Sequence, residues 1–96
     1  MSSPDLAEQI HAGVQALHAQ ELDQAQEIFE SVIAQQPNSA AAHCNLGMIE
    51  LVRQKPHHAI KHLEKAISFD DRMFHAYLNL GSAYFVTGNI VKSEQI

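Results

Sequence analysis

The chain has 96 residues, 46% of them hydrophobic and 18% charged, with a formal net charge of -5 and a pI near 5.7. That length supports one domain with a modest core. The acidic balance argues against a nucleic-acid or anionic-membrane partner, and no apolar run is long enough to span a bilayer. A single cysteine, Cys44, cannot form an internal disulfide, and residues 1–20 carry no basic start followed by an apolar block. Both features point to a reducing, cytoplasmic setting.

Read in chain order, the sequence predicts only helices. Ser3-Pro4 opens the first, with Ser as the cap and Pro in the first turn, where its missing N–H costs nothing. Leu6, Ile10, Gly13, Val14 and Leu17 then keep helical spacing to about residue 19. A short turn over 20–22 leads to Asp23, the expected cap of a helix reaching 36. Pro37-Asn38-Ser39 breaks that helix and caps a third, over about 40–53. Pro56 falls in the first turn of a fourth, which continues to about 69. Asp70-Asp71 ends it and caps a fifth helix reaching 86. Gly88-Asn89 marks the next turn, and 90–96 begins a sixth helix.

These helices repeat. Gly13, Gly47 and Gly81 follow one another at intervals of 34, each preceded by Ala or Leu. Ala25, Ala59 and Ser93 form a second series at that interval, and Phe29 with Leu63, Val32 with Ala66, and Ile33 with Ile67 form others. The units are 6–39, 40–73 and a partial one over 74–96. Tandem units of this length read as a helix-turn-helix solenoid, in which no unit can bury its own apolar face. A glycine inside a helix costs up to about 1 kcal/mol relative to Ala. Its use here is close approach of the paired helix.

Over essentially the whole chain after the first five residues, the pattern resembles the tetratricopeptide repeat (TPR) family. Ala25, Phe29 and Pro37 match in the first unit, Leu46, Gly47, Ala59, Leu63 and Ala66 in the second, and Tyr77, Leu80, Gly81 and Tyr84 in the third. Ala12 and Ala16 depart from it by being small, Glu50 replaces an aromatic, and Asp71 stands where Pro is usual. The resemblance implies an all-α, right-handed superhelical stack of hairpins, with five to six helices in a single domain over 1–96. It further implies a non-catalytic module that binds a protein or peptide partner, with no cofactor.

In such stacks the first helix of each unit lines the concave face. His11, Asn45 and Asn79 take equivalent places, two residues before each helical glycine. Asn45 and Asn79, in near-identical contexts, look like the inner Asn ladder of the TPR arrays in O-linked N-acetylglucosamine transferases. An amide both donates and accepts, so it can clasp a peptide backbone without reading its sequence. Met48, Val52, His75, Leu78, Ser82 and Phe85 are the expected companions, with Ala7, Ile10, Val14, Leu17, Ala41 and Val86 around them. Chaperone-type clamps hold a terminal carboxylate with lysines and arginine. Here Ile10, Val14, His75 and Asn79 occupy those places, so no carboxylate clamp is expected.

The remaining features are weaker. Residues 1–39 hold six acids and no base, whereas the second unit holds five bases against four acids. This favours either head-to-tail association or attraction between neighbouring units of one molecule. The sixth helix stops after about seven residues, too short to be stable alone. Either the chain is cut from a longer array, or a second copy covers the third unit and makes a homo-oligomer. Seven histidines include His58 and His62 one helical turn apart. A zinc site needs three or four ligands, so solvent-facing histidines and no metal are expected. His43 and Cys44, adjacent on a helix, diverge by about 100° and make no nucleophile–base pair. No phosphate loop or paired catalytic carboxylates appear. The chain is therefore not expected to be an enzyme, although it could be a regulatory segment of a larger transferase.

Overall fold

The computed structural model describes residues 5–88, and within them the only regular structure is α-helix. Five helices follow in order: α1 (Leu6–His18), α2 (Leu22–Gln35), α3 (Ala40–Val52), α4 (Pro56–Phe69) and α5 (Phe74–Thr87). The expected sixth helix and the Ser3-Pro4 start lie outside the described residues.

The helix boundaries follow local chemistry, with three corrections. The side chain capping α1 is Asp5, whose carboxylate accepts from Glu8 N–H at 2.7 Å. Asp23 does not cap α2; it lies in the first turn, where a carboxylate still faces the positive end of the helix. Asp71 does not cap α5, which begins after Met73 without a side-chain cap. Asp70 ends α4 and turns the chain, accepting from Arg72 N–H at 3.0 Å. Ser39 caps α3 as its sequence predicts, accepting from Ala42 N–H. Pro56 opens α4 at a position that needs no N–H.

The repeat extends to backbone conformation. Gln20, Gln54 and Gly88 stand 34 residues apart, and all three are left-handed, with φ of 62°, 62° and 79°. After α1, Gln20 N–H reaches Leu17 O and Glu21 N–H reaches Ala16 O, both at 2.9 Å; Gln54 and Lys55 repeat this pattern after α3. The paired bonds satisfy carbonyls that the helix ends leave open, and they fix each hairpin's reversal.

Packing shows why one hairpin cannot stand alone. Each helix meets its hairpin partner, α1 with α2 and α3 with α4. The first helices also touch in series, α1 with α3 and α3 with α5, whereas α2 and α4 do not meet. The α1–α3–α5 layer is thus the tighter one and forms the concave side. Phe29, Val32, Ala42, Leu46 and Ile49 make one core cluster; Cys44, Ala59, Leu63, Ala66 and Ala76 make the next. Helix α3 contributes to both, so it is apolar on nearly every side. Phe29, Ile49, Leu63 and Val32 are fully buried, each contributing roughly 1.5–3 kcal/mol of hydrophobic stabilisation.

The buried glycines are points of contact. A Cβ added at Gly13 would lie 2.6 Å from Phe29 Cζ, and one at Gly47 would lie 2.7 Å from Leu63 Cγ. At Gly81 such an atom would meet nothing within 4 Å among the described residues.

Polar groups tie the units together. Arg53 pairs with Asp23 across the first two units, so the uneven charge is used between neighbouring units of the same molecule. Glu50, placed where an aromatic is usual, bonds His62 Nδ1 at 2.6 Å. His43 departs from the expectation of solvent-facing histidines: it is buried between α3 and α4, its ring 5.6 Å from those of His62 and Phe69. Its Nε2 lies 2.9 Å from Pro37 O, and Tyr77, 34 residues later, donates its hydroxyl to the equivalent carbonyl of Asp71. The same helical position therefore anchors the preceding turn in both units.

Candidate functional site

The concave side carries a groove of about 840 Å³, within the range of ligand-sized pockets. Val14, Leu17 and His18 of α1 form one wall, with Gln20 from the turn beyond and Leu22, the first residue of α2. Ala41, Cys44, Asn45, Met48 and Val52 of α3 form the floor, and Met73 and His75 close the far side. The repeat produces this arrangement. Residues three or four apart on α3 share one stripe; α1 contributes the C-terminal part of its own stripe beside it, and α5 contributes His75 from its first turn.

Four of the nine candidate binding residues come together here: Asn45, Met48, Val52 and His75. The others lie apart from the groove. His11 is exposed on α1. Asn79 is half-buried on α5. Leu78 and Phe85 are 69% and 68% exposed, and Ser82 turns its hydroxyl back to Leu78 O.

Asn45 Nδ2 donates to Ala41 O at 2.8 Å, within its own helix. That bond fixes the amide's orientation and leaves its oxygen and second N–H for another partner. No side-chain hydrogen bond of Asn79 occurs among the described residues, so the two amides differ in their restraint.

Sequence reasoning missed His18, Gln20, Leu22, Cys44 and Met73. Gln20 lies in the turn and Leu22 opens α2; the chain reverses at the left-handed Gln20 between α1 and these positions at the groove's edge. Cys44 faces both core and groove; burial raises its thiol pKa, leaving it a small apolar wall element rather than a nucleophile. His43 points elsewhere, toward Pro37 and α4. No group of three or more metal-binding side chains converges among the described residues, and no described helix is long and apolar enough to cross a membrane.

No protein-family model and no curated protein sequence matches this chain. Among solved structures, the second TPR of Spaghetti (RPAP3), bound to the HSP90 peptide SRMEEVD, matches with a TM-score of 0.86. The match covers 94% of this chain and 83% of that one at 23% identity. This chain has the TPR fold. In TPR terms, α1/α2 and α3/α4 are successive hairpins and α5 is the first helix of a third. The groove lies on the layer of first helices of this TPR stack.

Proposed function

We propose that the chain is a non-catalytic interaction module which captures a peptide or partner helix in the concave groove. The observation carrying this reading is the groove itself: a ligand-sized apolar concavity with a fixed amide, Asn45, on its floor. Met48 and Val52 supply apolar contact, and Asn45 bonds the partner's backbone. Asn79 extends the amide series along α5 and His11 along α1, with Leu78, Ser82 and Phe85 continuing the contact beyond the groove and His75 at its polar margin. The RPAP3 domain, similar in fold, was solved with a peptide bound. We place the whole chain in one domain, with units 6–39, 40–73 and 74–96, acting in the cytoplasm. The test is peptide binding by the Asn45→Ala/Asn79→Ala double variant. Binding at least about tenfold weaker than for the parent chain is expected; unchanged affinity overturns the amide series.

A second reading has its own observation. Phe74, Leu78, Phe85 and Val86 are each at least 65% exposed on α5, an apolar helix face of the kind that marks an interface. Self-association through this third unit would cover it. Sedimentation at high micromolar concentration decides: a strict monomer defeats self-assembly and leaves the groove reading intact.

A further inference from the structure

The groove is lined by apolar and uncharged polar side chains with two histidines, His18 and His75, and the fixed charges beside it are unbalanced. None of its lining residues is Lys, Arg, Asp or Glu. Glu21 stands between two of them, Gln20 and Leu22, exposed and without an ion pair among the described residues. Arg53, next to Val52, is already held by Asp23. Arg72, next to Met73, is exposed and, like Glu21, outside any ion pair among the described residues, but it follows two acids, Asp70 and Asp71. The other described bases, Lys55, Lys61 and Lys65, stand on α4 or at its start, and none of them adjoins a lining residue in the chain. The first unit, which supplies one wall, carries five acids and no base.

A carboxylate entering this site would lose hydration without gaining a lysine or arginine partner in the lining, which is costly. A lysine beside an apolar anchor has an easier course. Its methylene stem covers the apolar wall while the ammonium stays in water, near Glu21. The acidic field of the first unit also speeds the approach of a basic segment and repels an acidic one.

We propose that the groove takes an apolar peptide segment flanked by lysine or arginine and excludes acidic peptides. SRMEEVD, with three acids and one arginine, belongs to the excluded class although the RPAP3 domain of the same fold was solved with it. The proposal rests on the groove reading above and gives it a chemical class of partner.

The experiment titrates the full chain, isotope-labelled for NMR, with three synthetic peptides. One is SRMEEVD; the other two are end-blocked and share a leucine-rich centre, flanked by lysines in one and by glutamates in the other. The expected result is that the lysine-flanked peptide shifts Asn45, Met48 and Val52. It should bind about tenfold or more tightly than its glutamate twin, with the difference shrinking as salt rises. SRMEEVD should give no saturating shift. Val52→Lys, at a position already 61% exposed and therefore safe for folding, should narrow the gap and admit SRMEEVD. Equal or tighter binding of either acidic peptide to the parent chain overturns the charge preference while leaving the groove reading standing. Shifts confined to α2 and α4, or no shifts with any peptide, overturn both.

Discussion

The ring of Phe29 occupies the space that a side chain at Gly13 would fill, and Leu63 stands in the same relation to Gly47, 34 residues on. Each hairpin is closed by one large residue of its second helix seated on a bare stretch of its first. Gly81 offers the same bare backbone with nothing over it among the described residues. Equivalent positions in the repeat thus carry different physical loads.

Alanine substitution should separate them. Gly47→Ala pushes a methyl against Leu63 Cγ and within 3.3 Å of the Ala59 carbonyl. Overpacking of this kind costs about 1–3 kcal/mol, more than the roughly 1 kcal/mol gained in helix propensity. Gly81→Ala meets no such obstacle and should stabilise by up to about 1 kcal/mol. Urea midpoints moving in opposite directions are the expected outcome; matching shifts would remove the close-approach account of Gly47.

Gln54 keeps a left-handed backbone, φ 62°, that costs an L-residue roughly 1–2 kcal/mol. The equivalent residue of the next unit is Gly88, with φ 79°. Gln54→Gly should therefore stabilise by about 0.5–1 kcal/mol after the glycine's larger unfolded-state entropy is subtracted. A lower thermal midpoint for this variant would contradict the hairpin geometry.

His43 links stability to pH. Burial holds its pKa below the ordinary histidine value; the Pro37 carbonyl bond opposes that effect, and His62 and Lys65 add to it. The unfolded chain takes up this proton near pH 6.5, and the folded chain does so only at lower pH. The contribution is therefore complete above about pH 6.5 and is lost as pH falls through the folded-state value. His43→Gln, which places there the residue found 34 positions earlier as Gln9, should flatten the decline of the urea midpoint between about pH 7.5 and 5. An unaltered slope would assign the decline to other groups.

Cys44 is 5% exposed, and burial raises its pKa. Its reaction with a thiol reagent at neutral pH should be much slower than that of a free thiol and should accelerate with sub-denaturing urea, since attack waits on local opening. Labelling in the native state at the rate of the unfolded chain would place the thiol in solvent instead.

Much of this protein was legible from one dimension. The 34-residue interval of Gly13, Gly47 and Gly81, the capping serine Ser39 and the break at Pro37 define helical hairpins because local backbone chemistry and helical period are sequence properties. The concave stripe through Asn45, Met48 and Val52 follows from the same period. Two helix starts differ from the expected ones for local reasons, the residues before α1 and α2 being Asp5 and Glu21. The other detail that went unread involves residues distant in the chain. His43 looks like a surface imidazole until α4 closes over it with His62 and Phe69.

What the sequence determined by itself is the unit: its length, its helices and its bare glycines. Only tertiary packing decided which of several apolar stripes became groove and which became core. Leu17 and Met48 line the groove while Phe29 and Ile49 are sealed. The reason is geometric. First helices in adjacent hairpins touch and second helices do not, so the stack curves, and curvature is a property of the assembled layers that no single helix carries.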